Sequence, residues 1–113
     1  MIGGIIYEKR EIVLMPFPYT DLTSYKSRPA LIISNNLLNK TEDRICGLIT
    51  SMPSKDGIKI EKRFIKEGKL PFQSWIKPYR IFTINEKIIK KKLCSVTKEF
   101  HDLVIKMLNE NLK

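Results

Sequence analysis

One histidine and two cysteines in 113 residues leave little from which to build a metal centre. His101, Cys46 and Cys94 lie far apart, and neither cysteine has a second ligand at a metal spacing, so no common zinc set forms from them. No cofactor is expected. Cys46 lies in an apolar run and Cys94 follows one, which predicts buried free thiols. A single histidine also removes any chemistry that needs two. No run of 18 uncharged apolar residues occurs, so no membrane span is expected. The N-terminus lacks a basic stretch followed by a long apolar one, so it does not read as a signal peptide. A cytoplasmic protein is the expectation.

The length fits one domain over 1–113. An apolar fraction of 42% supplies a real but small core. Charge is uneven. Residues 54–92 hold 12 Lys/Arg against 4 Asp/Glu, a net +8 out of +9 for the chain. The middle of the chain is therefore an electrostatic footprint suited to a polyanion, either nucleic acid or an acidic protein segment. A plainly solvated surface is the competing reading.

Prolines punctuate the first strand. Ile12 to Phe17 is apolar and ends among Pro16 and Pro18, which favours strand over helix. Thr20 to Ser27 is polar and reads as a loop. Pro29 to Ser34 is a continuous aliphatic run, the pattern of a buried strand. Arg28 sits where that loop enters the strand, and a cation fixed there can hold a phosphate or a carboxylate. Leu37 to Lys40 suggests one helical turn, and Arg44 to Ser51 a third strand. Asp56-Gly57 is a hairpin signal. Ile58, Ile60, Phe64 and Ile65 mark strand residues with a break between them, and Gly68 to Pro71 is a turn. Ser74 to Ile84 reads as two short strands or one strand kinked at Pro78, and Asn85 to Lys92 as a helical turn. Val96, Phe100, Leu103, Val104, Met107, Leu108 and Leu112 recur at helical spacing, with Ser95 or Thr97 as cap. Mainly β structure with a C-terminal helix predicts a small, strongly curved β-barrel.

These segments resemble a known family. Ile12-Val-Leu-Met-Pro-Phe-Pro-Tyr-Thr-Asp21, Lys26-Ser-Arg-Pro-Ala-Leu-Ile-Ile-Ser-Asn35, Leu48-Ile-Thr-Ser51 and Gly68-Lys-Leu-Pro-Phe-Gln-Ser74 look like the PemK/MazF toxins. So does Ile76-Lys-Pro-Tyr-Arg-Ile-Phe-Thr-Ile84. The resemblance covers about residues 7–112. It implies an SH3-like β-barrel with a C-terminal helix, usually a homodimer. It also implies sequence-specific endoribonuclease cleavage of single-stranded RNA without a metal, and an acidic antitoxin partner. The chain departs from the family in two places. Arg10-Glu11 stands where members commonly carry Gly-Asp, and the loop after Asp21 lacks glycine.

RNA cleavage by the ribose 2′-OH needs a proton acceptor, a donor to the leaving 5′-oxygen and charge stabilisation at phosphorus. Arg28 and Thr50 match the family's catalytic positions. Arginine offers a planar two-point phosphate grip but is a poor general base. Stabilisation and proton donation are therefore its expected roles. Thr50 offers a hydroxyl, and Ser51 and Asp21 are possible assistants. The structural readings beside these are an Arg28–Asp21 ion pair and an ordinary strand threonine. Single-stranded RNA is held by aromatic stacking and edge hydrogen bonds. Phe17, Tyr19 and Tyr25 flank the first loop, with Lys26 beside them. Gln73, Ser74, Lys77 and Arg80 lie in the second matching region. Trp75 is expected in the core or a dimer interface, His101 on a helix surface or interface, and Lys90 to Lys92 as a solvated cluster. A catalytically inactive barrel that binds protein or nucleic acid is the alternative reading.

Overall fold

The computed structural model describes residues 6–18 and 25–113. Seven strands form one antiparallel sheet that curls into a half-barrel: β1 (Glu11–Pro18), β2 (Tyr25–Ile32), β3 (Asp43–Thr50), β4 (Ile58–Lys59), β5 (Ile65–Gly68), β6 (Trp75–Asn85) and β7 (Lys91–Val96). One helix, α1 (Lys98–Leu112), closes the chain. The strand order is β4-β6-β3-β2-β1-β7-β5.

Side chains alternate between the faces of a strand, and both faces of this sheet are apolar at its centre. Ile12, Leu31, Ile49 and Ile76 project to one side, where Phe100 and Val104 of α1 cover them. The Phe64 and Phe100 rings add a tilted contact with centroids 4.9 Å apart. Val13, Met15, Ala30, Ile32 and Cys46 project to the other side and meet Ile84 and Ile89. This two-sided burial explains why β2 reads as an unbroken aliphatic run. Beneath its end, the fully buried Arg44 donates to the carbonyls of Tyr7, Thr41 and Asp43 and lies 3.6 Å from Glu86. Those partners answer the cost of burying a guanidinium.

Proline positions follow the ladders. β1 pairs with β7 only over Glu11–Leu14, so Pro16 and Pro18 lie beyond it and leave no β7 acceptor unserved. The β2–β3 ladder runs from Ile32↔Cys46 to Ala30↔Leu48 and ends next to Pro29, which has no N–H to donate. The strands thus part at the point where Arg28 stands.

Several expectations change. β2 begins at Tyr25, not Pro29, because Lys26, Ser27 and Arg28 pair with β1. Asp56-Gly57 does not close a hairpin, since β4 pairs with β6 rather than with β3. Of the two readings of Ser74–Ile84, the single kinked strand holds, as β6. Gly47 faces Ile81 and Leu48 faces Lys77, so residues 78–80 bulge out around Pro78. The helical turn expected over 85–92 spans only Glu86–Ile88, and Lys91–Val96 is strand β7, held between β1 and β5. Thr97 is the cap of α1, accepting the Phe100 N–H at 3.1 Å. Val96 belongs to β7, and Leu112 is exposed. His101 is not on the helix surface. It is buried with 8% exposure, because α1 turns Phe100, His101 and Val104 toward the sheet.

Candidate functional site

The end of the β2–β3 ladder organises the site. Arg28 lies two residues past the last rung on β2, and Thr50 two residues past it on β3. Both share a face with Ala30 and Leu48, so the two stand level on one side of the sheet. Directly paired residues project the same way, and two further pairs extend the patch. Thr50 faces Trp75, and Leu48 faces Lys77. Arg28, Thr50 and Trp75 therefore form a row across β2, β3 and β6, with Lys77 in the next row. Arg28 and Trp75 are each half-buried. The Thr50 hydroxyl oxygen accepts the Met52 N–H at 3.1 Å. That leaves the hydroxyl hydrogen to donate outward.

Around the same sheet end lies a cleft of about 620 Å³. Lys26, Ser27 and Arg28 form one wall, Ser51 and Met52 another, and Phe72 and Ser74 a third. Leu14 and Leu93 supply apolar surface over the buried Ile49, and Lys91 of β7 adds a further cation. Lys26, Arg28 and Lys91 border the cleft, and no carboxylate does so among the described residues. The neighbouring Lys90 donates to the Ser27 hydroxyl at 2.6 Å. Lys92 faces elsewhere, 2.8 Å from Glu67 and 3.5 Å from Glu11. The hydrogen bond to Glu67 raises the Lys92 ammonium above its ordinary range, and Lys92 in turn lowers the Glu67 carboxyl. The Lys90 to Lys92 cluster is thus divided, and among the described residues Lys92 alone of the three lies against carboxylates.

Of the residues that sequence reasoning named, Lys26, Arg28, Ser51 and Ser74 border the cleft, while Thr50 and Lys77 lie on the adjoining face. Arg80 sits in the exposed β6 bulge, away from both. Gln73 lines a neighbouring cavity that shares Leu70, Pro71 and Phe72 with the cleft, and its amide donates to the Ile60 and Ser74 carbonyls. Tyr19 and Asp21 lie outside the described residues, and Tyr25 is described only as the first residue of β2. Sequence reasoning passed over Met52 and Phe72, and read Lys91 chiefly as part of a solvated cluster. The one signal available was an aromatic ring directly after Leu70-Pro71, a turn that should face solvent.

The two thiols take no part in this site. Burial pushes Cys46 up to about 12 and Cys94 to about 11. Both stay protonated and inert at neutral pH. Among the described residues no three His, Cys, Asp or Glu side chains gather as a metal site would require, and no helix is long and apolar enough to cross a membrane.

The family model for the PemK-like, MazF-like toxin of type II toxin–antitoxin systems matches residues 8–112. The chain belongs to this family. No curated protein sequence matches it. Solved structures do. An endoribonuclease in complex with its cognate antitoxin, from a mycobacterial species, superposes with a TM-score of 0.72 at 18% identity, over 94% of this chain and 92% of that one. MazF from Deinococcus radiodurans gives 0.73 at 14% identity, over 96% and 98%. The MazE–MazF complex from the same organism gives 0.70 at 16%, over 95% and 96%. At these identities the likeness establishes that the PemK/MazF chain has the MazF fold.

Proposed function

We propose that this PemK/MazF-family toxin is a metal-independent endoribonuclease that cuts single-stranded RNA. The observation that carries the reading is the level placement of Arg28 and Thr50 on one sheet face, at the end of the sheet where a cleft has only cations, Lys26, Arg28 and Lys91, as its charged lining among the described residues. The guanidinium grips two non-bridging oxygens of the scissile phosphate. The Thr50 hydroxyl, its oxygen already engaged by the Met52 N–H, donates to one of them. The ribose 2′-oxygen attacks phosphorus as its proton passes to solvent, the P–O5′ bond breaks, and the leaving 5′-oxygen takes a proton from Arg28, whose guanidinium regains one from water. The products are a 2′,3′-cyclic phosphate and a 5′-hydroxyl. Charge stabilisation of this kind is worth about 10²–10³ in rate for each donor.

The same cationic surface suits an acidic antitoxin segment, and a cytoplasmic homodimer neutralised by such a partner is the biological setting we infer. Solved relatives in complex with antitoxins support that setting.

The test is end-mapped cleavage of a long RNA in EDTA. Wild type should leave cyclic-phosphate and 5′-hydroxyl ends, and Arg28→Ala should lose at least about 10²-fold in rate. Loss of cleavage on chelation, or an Arg28→Ala variant as active as wild type, would sink the proposal. No cleavage of any RNA would instead favour a binding module on the same sheet.

A further inference from the structure

Phe72 is 72% exposed, more than any other aromatic ring among the described residues, and Met52 is equally exposed. The two come from separate connections, one after β3 and one before β6, yet both border the cleft beside Arg28. Large apolar side chains kept in water at the mouth of a concave site mark a contact surface rather than a folding need. Phe72 is also held in place. Its carbonyl accepts the Ser74 hydroxyl at 2.9 Å, and the adjacent Gln73 amide is tied to the Ile60 carbonyl at 3.2 Å. The ring is therefore presented by an ordered backbone, which lowers the cost of using it.

The cleft volume of about 620 Å³ lies within the range of about 300–1,000 Å³ usual for organic ligands, and is too large for a bare phosphate. Its lining asks for two properties in one ligand. The apolar floor and exposed ring ask for a flat apolar body, while Lys26, Arg28 and Lys91 ask for negative charge close by. A nucleotide has both. In a nucleotide the two are joined in one unit, whereas a peptide needs two side chains, one acidic and one aromatic, at a matching spacing.

We infer that the cleft is a base subsite. One nucleobase of single-stranded RNA stacks on Phe72 with Met52 as the opposing wall, its phosphate meets Lys91, and the neighbouring phosphate meets Arg28. The inference rests on RNA being the ligand and assigns a specificity role to residues outside the Arg28–Thr50 row. The floor of the slot is apolar, so stacking and size select the base there, with the Ser51 hydroxyl as an edge partner.

The experiment uses a 2′-O-methyl RNA oligonucleotide of mixed sequence, which binds but lacks the attacking hydroxyl, read by fluorescence anisotropy. Phe72→Ala should weaken binding about 5- to 100-fold, as loss of one base–aromatic stack does, and Phe72→Trp should restore it. The melting temperature of Phe72→Ala should match wild type, because the ring packs little against the fold. Phe72→Ala should leave the salt dependence of binding intact, whereas Lys91→Ala should flatten the log–log slope by about 0.7. On a cleavable long RNA, Phe72→Ala should redistribute the cut sites. Unchanged affinity in Phe72→Ala would overturn the inference, as would failure of Phe72→Trp to restore it. So would a wild type that binds an acidic peptide but not the oligonucleotide. A wild type that shows the Phe72 dependence but cuts no RNA would sink the nuclease reading and leave the subsite standing.

Discussion

Arg10 carries a backbone angle that few residues other than glycine adopt, with φ at +75°. The reason lies in its neighbours. Its N–H donates to the Ile32 carbonyl at 3.0 Å, and its own carbonyl accepts the Val96 N–H at 2.8 Å. The residue is thus pinned between the end of β2 and the end of β7, at the place where the family commonly has glycine. A Cβ in this region costs about 1–2 kcal/mol. Comparing Arg10→Gly with Arg10→Ala isolates that cost, since both remove the side chain and only glycine relieves the angle. After the entropy that glycine adds to the unfolded chain, Arg10→Gly should be the more stable by about 0.5–1 kcal/mol in urea denaturation. Equal midpoints would mean that no strain is stored there. The departure that set this chain apart in sequence is therefore carried as local backbone strain, while β1 pairs with β2 in unbroken register from Ile12 to Pro18.

At the scale of the element, α1 docks a histidine against the sheet. His101 Nδ1 is buried and makes no hydrogen bond among the described residues. Burial is the main cause that lowers its pKa below the ordinary 6.5. Lys9 and Arg10 from the N-terminal segment and Lys98 from the helix add to it, while Asp102 opposes. The folded state thus prefers neutral imidazole. As pH falls below about 6.5 the unfolded chain takes up a proton that the folded chain refuses, so stability declines until the folded pKa is reached, with a slope of at most about 1.4 kcal/mol per pH unit. His101→Leu should flatten the dependence on pH below 6.5, and should cost nothing at pH 7.5 because the unpartnered nitrogen goes with the ring. Denaturant midpoints across pH 5–8 decide it, and an unchanged slope in the variant would move the sensitivity elsewhere. His101 shows why some of the fold was hidden in the sequence. A polar residue beside Phe100 reads as surface until the sheet that covers it is known. β7 was hidden for a related reason. Its first residues, Lys91 and Lys92, are exposed, and alternation begins only at Cys94, so pairing with β1 and β5 specifies the strand. By contrast β1, β3 and the second half of β2 were legible as apolar runs, and the helix by its spacing of three and four. Arg28 and Thr50 were legible as a family pattern. Met52, Phe72 and Lys91 were not, because three distant segments become one wall only when the sheet curls.

The whole molecule decides how much of its charge an RNA strand meets. Nearly all the excess lies in residues 54–92, but folding divides it. Arg63 lies near Glu61 and Glu99, Lys87 near Glu42, and Lys92 between Glu67 and Glu11. Such exposed pairs are weak individually, yet each carboxylate would have to be displaced before its partner could serve a phosphate. Lys26, Arg28 and Lys91 gather at the cleft, with Lys77 on the adjoining face, and these four are the cations that the proposed RNA path meets. Single-stranded RNA releases about 0.7 counterions for each phosphate neutralised. Four contacts therefore predict a slope of about −3 for log K against log salt, where engagement of all twelve basic residues of the middle segment would give about −8. Lys91→Ala should flatten the slope, and Lys92→Ala, one residue away on the other side of β7, should leave it unchanged. Titration of the 2′-O-methyl oligonucleotide at several salt concentrations measures all three. A wild-type slope steeper than about −5, or equal losses in the two lysine variants, would mean that the RNA runs over the whole basic surface rather than through the end of the β2–β3 ladder.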